Sequence, residues 1–170
     1  DEIQTGMGRT GSLWAYEQLS ARPDVLTTAK ALGGGLPVGA CVTTGELGFV
    51  LEAGDHGSTF AGGPLVAAAA LAAFDVIDDP ELLRRTRELG GRLRSGLEEI
   101  DGVSEVRGRG LMLGASLSDG WKAPELAARL LAEGLVVNPI GAETIRLLPP
   151  LVIGEAEVDE ALEIVRRVLD

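Results

Sequence analysis

The chain has 170 residues, 45% of them hydrophobic but only 4% aromatic, and a formal net charge of −11. That length allows one domain with a good core, or parts of two, built mostly from Ala, Leu and Val. The acidic balance argues against nucleic acid or an anionic membrane as partner; no apolar run reaches transmembrane length unbroken, and no signal-peptide pattern is present.

The sequence opens on Asp1-Glu2-Ile3-Gln4 and not on methionine, which reads as a piece whose beginning lies upstream. Thr5 to Ser12 follows as a loop whose glycines, Gly6, Gly8 and Gly11, allow close approach to a ligand. It matches neither the Walker pattern nor the dinucleotide fingerprint. Leu13 to Leu19 predicts a short helix carrying Trp14 and Tyr16, and Arg22-Pro23-Asp24 turns the chain into an apolar strand. That strand delivers Lys30 to the glycine-rich turn Gly33-Gly34-Gly35. The chain holds only two lysines, Lys30 and Lys122, so an ammonium here is not generic positive charge. A lysine in apolar surroundings loses its proton more easily and can act as an amine nucleophile. Taken alone, a strand-end lysine reaching solvent is the commoner arrangement.

Pro37 to Thr44 reads as a second strand, joined to the first by too few residues for a crossover helix, so the pair is expected to be antiparallel. Lys30 then sits at the end of a sheet, where α/β folds place their ligands. The single cysteine, Cys41, excludes an internal disulfide and suits a reducing cytoplasm. With one cysteine and one histidine, His56, no zinc site and no other metal is expected. Glu46 to Leu51 predicts a short helix, and Gly54 to Pro64 a loop rich in glycine and hydroxyls. Leu65 to Ile77 is almost wholly apolar and reads as a buried helix, ended by Asp78-Asp79-Pro80.

Glu81 to Ile100 predicts an amphipathic helix with Leu82, Leu89, Leu93, Leu97 and Ile100 on one face and a solvated arginine-rich face opposite. Gly90-Gly91 inside it argues against continuity. Beyond Asp101 the pattern is of short strands, Ser104 to Arg107 and Leu111 to Leu117, then a helix near Pro124 to Glu133 with Gly134 as its stop. Strands Leu135 to Asn138 and Thr144 to Leu148, a Pro149-Pro150 turn and a last amphipathic helix, Glu155 to Leu169, complete a compact α+β unit. The expected class is α/β, divided into residues 1–80, a linking helix 81–102 and a small α+β domain 103–170.

Four segments, Asp1-Glu2-Ile3-Gln4-Thr5-Gly6, Ala29-Lys30, His56-Gly57-Ser58-Thr59-Phe60 and Ile145-Arg146-Leu147-Leu148-Pro149-Pro150, together and in this order resemble the C-terminal part of class III, fold-type I, pyridoxal-phosphate-dependent aminotransferases. The acetylornithine aminotransferase group is the nearest, and the resemblance spans essentially the whole chain. It implies that residues 1–80 belong to the large cofactor-binding domain, and it assigns roles. Lys30 matches the lysine that carries pyridoxal 5'-phosphate and later moves a proton. Asp1 matches the carboxylate that keeps the pyridine nitrogen protonated, and Gln4 the amide near the phenolic oxygen. Thr59 matches a residue that binds the phosphate of the partner's cofactor across a homodimer, and Ser58 one that approaches substrate. Arg146 matches the arginine that holds the substrate α-carboxylate; without the resemblance, a structural salt bridge is about as good a reading. His56 is left as structural. The sequence has Ala61-Gly62-Gly63-Pro64 where the family has Gly-Gly-Asn-Pro.

The implied activity is transfer of the terminal amino group of N-acetylornithine to 2-oxoglutarate by a ping-pong mechanism, in arginine biosynthesis, in the cytoplasm. Ornithine, succinylornithine and 4-aminobutyrate are the alternative donors, and an inactive folded fragment is the alternative of a different kind. The resemblance also implies a preceding segment that supplies the rest of the phosphate site, an aromatic over the cofactor ring and a second substrate-binding arginine.

Overall fold

The structure, a computed structural model, describes residues 1–118 and 120–169. The chain divides into two compact units, Asp1–Leu83 and Arg84–Asp170.

In the first unit, β1 (Val25–Thr28) and β2 (Ala40–Thr43) form the expected antiparallel ribbon, in register from Val25 opposite Thr43 to Thr28 opposite Ala40. A single 3-10 turn, Lys30–Gly33, leaves β1 and ends at Gly34, whose φ of 58° is left-handed. Leu13 to Leu19 condenses to a shorter 3-10 turn, Ala15–Gln18. The helix expected over Glu46 to Leu51 is absent. Leu47 and Gly48 N–H both donate to Thr44 O and Val50 N–H to Leu47 O, isolated turns that do not propagate through Gly45 and Gly48.

The apolar helix α1 (Pro64–Ile77) forms with proline at its first position, but it is not buried as expected. Leu65, Leu71 and Val76 are exposed, and Ile77 alone within it is buried. A helix apolar on every face needs cover on every side. Within its own unit α1 packs against the Lys30–Gly33 turn, where Gly34 faces Ala73.

The second unit is a four-stranded antiparallel sheet in the order β3 (Val103–Arg109), β4 (Met112–Leu117), β6 (Thr144–Leu147), β5 (Asn138–Ile140). The helices α2 (Pro80–Glu98), α3 (Ala123–Ala132) and α4 (Glu155–Leu169) supply the rest of its core. Leu89, Leu93 and Leu97 from α2, Leu126 and Leu130 from α3, and Val158 and Val165 from α4 pack with Val106, Leu113, Ala115, Ile145 and Leu147 of the strands. Because strand side chains alternate, the residues between these, Arg107, Gly114 and Arg146 among them, face the other side of the sheet.

Continuity of α2 through Gly90-Gly91 has a packing cause. A Cβ on Gly90 would lie 2.2 Å from Gly110 O, so the helix backbone presses directly on the β3–β4 turn. Nor is the arginine face of α2 merely solvated. Arg92 grips Asp159 of α4 with both Nε and Nη2, at 2.7 and 2.6 Å, which raises the guanidinium pKa. Arg94 donates to the carbonyls of Val106 and Gly108 on edge strand β3.

The stop at Gly134 is as expected: φ is 91°, Gly134 N–H donates to Leu131 O and Leu135 N–H to Leu130 O, a Schellman closure. That closure explains the one displaced strand. Leu135 spends its N–H on the helix end, and pairing starts at Asn138 instead of Leu135.

Candidate active site

The first fourteen residues form a loop stitched to β1. Glu2 N–H donates to Thr27 O at 2.8 Å, and Asp1 Oδ1 accepts from Thr27 Oγ1 at 3.1 Å and from Ile3 N–H at 2.9 Å. Glu2 is 6% exposed, and its carboxylate accepts from the Thr5 hydroxyl and from Tyr16 N–H. Gly6 N–H closes the turn onto Glu2 O at 3.0 Å. A Cβ on Gly6 would come within 2.8 Å of both that carbonyl and the Trp14 ring, so glycine is required by space. Gln4 shares this turn and is half-buried. Further along, Gln18 Nε2 donates to Thr10 O and Ser12 Oγ, and burial pushes the Arg9 pKa down.

Lys30 lies at the far end of β1, three residues beyond Thr27. Its φ of 47° is left-handed, which is uncommon for a residue with a Cβ, and its side chain is exposed. The loop that carries Asp1 and Gln4 is thus bonded to β1 at Thr27, and the primary amine of Lys30 follows two residues past the end of that strand, in the 3-10 turn. Thr28, between Thr27 and Lys30, buries its hydroxyl with no hydrogen-bond partner among the described residues.

Ser58 and Thr59 lie on an exposed loop held by its own bonds, Glu52 N–H to Asp55 Oδ2 and Ala61 N–H to Ser58 Oγ. His56 is exposed on the same loop. Arg146 belongs to the second unit, on β6, with Gly114 and Asn138 as its cross-strand neighbours. It lines a pocket of about 470 Å³ together with Asn138, Pro149, Glu157 and Glu160. Beside it on the sheet, a Cβ on Gly114 would meet Thr144 Cγ2 at 3.5 Å and Arg107 Cγ at 3.9 Å.

Sequence reasoning passed over Glu2. No periodicity marks it; the available signal was a second carboxylate in a turn otherwise made of neutral residues. Among the described residues no group of three or more histidine, cysteine or carboxylate side chains is placed to hold a metal ion, and no helix is long and apolar enough to cross a membrane.

A sequence model of the family described as "Aminotransferase class-III" matches residues 1–169. Acetylornithine aminotransferase from Thermosynechococcus vestitus is 44% identical over 99% of this chain and 42% of its own length. The crystal structure of acetylornithine aminotransferase from Elizabethkingia anophelis superposes with a TM-score of 0.89 at 38% identity, over 99% of this chain and 44% of that one. Ornithine aminotransferase from Plasmodium yoelii superposes with a TM-score of 0.91 at 33% identity, over 99% and 46%. The chain thus spans less than half the length of the relatives it matches.

Proposed function

Because the chain belongs to the class-III aminotransferase family, whose members depend on pyridoxal phosphate, we propose that it carries part of an active site that moves an amino group from an amino acid to a 2-oxo acid. The observation that carries this reading is the tie of Asp1 to Thr27 on β1, the strand that leads within two residues to Lys30.

The donor set fits the cofactor. Asp1 uses Oδ1 for both of its bonds to the loop and to Thr27, so Oδ2 can face a protonated ring nitrogen. Lys30 is exposed in the 3-10 turn just past β1, which suits a side chain that must take a covalent carbonyl partner. When bound, pyridoxal phosphate supplies an electron sink for the carbon that carries the amino group. Lys30 would hold the group covalently and, once released, take and return the proton of that carbon. Asp1 favours the charged ring nitrogen, and Gln4 donates to the phenolic oxygen without adding charge. Arg146 presents a planar fork for a substrate carboxylate. Ser58 and Thr59 serve substrate and cofactor phosphate in a homodimer, through an exposed loop suited to reach a partner.

In this reading residues 1–80 belong to the cofactor-binding domain, 81–102 link, and 103–170 form the small domain. The amino donor is N-acetylornithine, the acceptor 2-oxoglutarate, the kinetics ping-pong, the pathway arginine biosynthesis and the compartment the cytoplasm; relatives named acetylornithine aminotransferase support the donor. Ornithine is the second reading, favoured by the likeness to the Plasmodium yoelii enzyme. A panel of amino donors given to the full-length enzyme tests the choice, and no turnover of acetylornithine sinks it. Borohydride reduction with pyridoxal phosphate tests the site itself. The adduct is expected on Lys30, lost in Lys30→Ala and kept in Lys122→Ala; a chain that forms no adduct is a folded fragment without the chemistry.

A further inference from the structure

The geometry points to Glu2 as a positioning residue that fixes the aim of the Asp1 carboxylate, an inference that rests on Asp1 facing the cofactor's ring nitrogen. A carboxylate taken out of water is costly unless its oxygens are met by donors. Glu2 is buried, and both oxygens are met: Oε2 by the Thr5 hydroxyl and Oε1 by Tyr16 N–H at 2.8 Å. Its main chain is equally committed, the N–H to Thr27 O and the carbonyl to Gly6 N–H. One residue thus joins the loop, the Ala15–Gln18 turn and β1.

Asp1 depends on the same joint. Its own side chain reaches Thr27 Oγ1, on the residue whose carbonyl receives Glu2 N–H, and Thr5 Oγ1 also lies 3.4 Å from Asp1 O. With the Glu2 side chain gone, Thr5 and Tyr16 lose their common acceptor, and the turn that presents Asp1 keeps only its main-chain bonds and the Asp1 carboxylate's own bonds to Thr27 Oγ1 and Ile3 N–H. Asp1 then meets the ring nitrogen less well, and that nitrogen holds its proton less tightly. Loss of the ring cation makes the Lys30–cofactor linkage more basic, because a nearby positive charge disfavours a second one.

Glu2→Gln separates positioning from charge. Its amide oxygen can take Tyr16 N–H, and its amide nitrogen can donate to Thr5 Oγ1, whose hydrogen turns to Asp1 O. Glu2→Ala removes both contacts. The test is a pH titration of the visible absorbance of the cofactor on Lys30 in the full-length enzyme, with cofactor retention on dialysis as a second readout. Glu2→Ala is expected to move the titration midpoint upward by about one pH unit and to release cofactor faster, with Glu2→Gln close to the unaltered protein. A Glu2→Ala titration unchanged from the parent overturns the proposal, and so does an equal shift in the Ala and Gln variants, which would assign the effect to charge alone. Where Glu2→Ala does not fold, Thr5→Val removes one donor only and must shift the midpoint in the same direction; an unshifted Thr5→Val overturns the proposal. Asp1→Asn distinguishes the two levels. If it leaves the titration unmoved, the placing of Asp1 at the ring nitrogen fails; if it moves the midpoint while Glu2→Ala does not, only the role of Glu2 fails.

Discussion

Lys30 holds a left-handed backbone at φ 47°, a conformation that costs a residue with a Cβ about 1 kcal/mol. The side chain is exposed, so no packing within the unit offsets that cost. Lys30→Gly should therefore raise the stability of the chain by about 1 kcal/mol, while Lys30→Ala, which keeps a Cβ at the same φ, should leave it nearly unchanged. Thermal melting of the two variants side by side checks this, and both should lose the borohydride adduct. A stabilised, adduct-free glycine variant would mark Lys30 as a residue kept for chemistry against a local structural preference. The sequence alone could place this lysine, because an apolar strand running into three glycines leaves it only the strand end. It could not show the left-handed φ, because Lys is not a residue type that announces one. Asp1 and Gln4 were singled out for a different reason, as parts of a motif whose members matter together. Glu2 was not, because its weight comes from Thr5 and Tyr16 reaching it, and nothing in the spacing of those residues foretells that.

Elements show the same division between what is local and what is borrowed. The stop of α3 was readable because a glycine past a helix end needs no partner to act. The start of β5 was not, because the Leu135 N–H already belongs to the helix, a three-dimensional fact about Leu130. Likewise the burial of α1 depends on neighbours, and an apolar composition reports only that cover is wanted. In α2 two adjacent glycines have opposite environments. Gly90→Ala drives a Cβ to 2.2 Å from Gly110 O, whereas Gly91→Ala meets nothing within 4 Å. Urea unfolding should find Gly90→Ala destabilised by about 3 kcal/mol, and Gly91→Ala stabilised by about 0.5–1 kcal/mol through helix propensity. Edge strand β3 gives another check. Arg94 occupies the carbonyls of Val106 and Gly108, so Arg94→Ala uncovers two acceptors on a sheet edge. Faster assembly into thioflavin-binding aggregates on mild heating is the expected outcome, and light scattering identical to the parent would refute it.

At the scale of the whole molecule the two units differ in how far their apolar surface is closed. Arg84–Asp170 carries a continuous core from Leu89 through Leu169. Asp1–Leu83 leaves Phe49 and Phe60 at 88% and 89% exposed and α1 largely uncovered. Expressed separately, the segment 84–170 should melt in one cooperative transition and give dispersed amide resonances, while 1–83 should bind a hydrophobic dye and melt without a sharp transition. A cooperative, dye-silent 1–83 would show that its apolar residues find cover among themselves. Synthesis gives this contrast a direction in time. Residues 1–83 emerge from the ribosome ahead of residues 84–170, so the segment that does not close its own apolar surface is outside before the self-sufficient one. In that interval Phe49, Phe60 and α1 find no cover within their own segment, and the yield of native protein is expected to follow holdase supply at that stage more closely than the intrinsic stability of the part made after it.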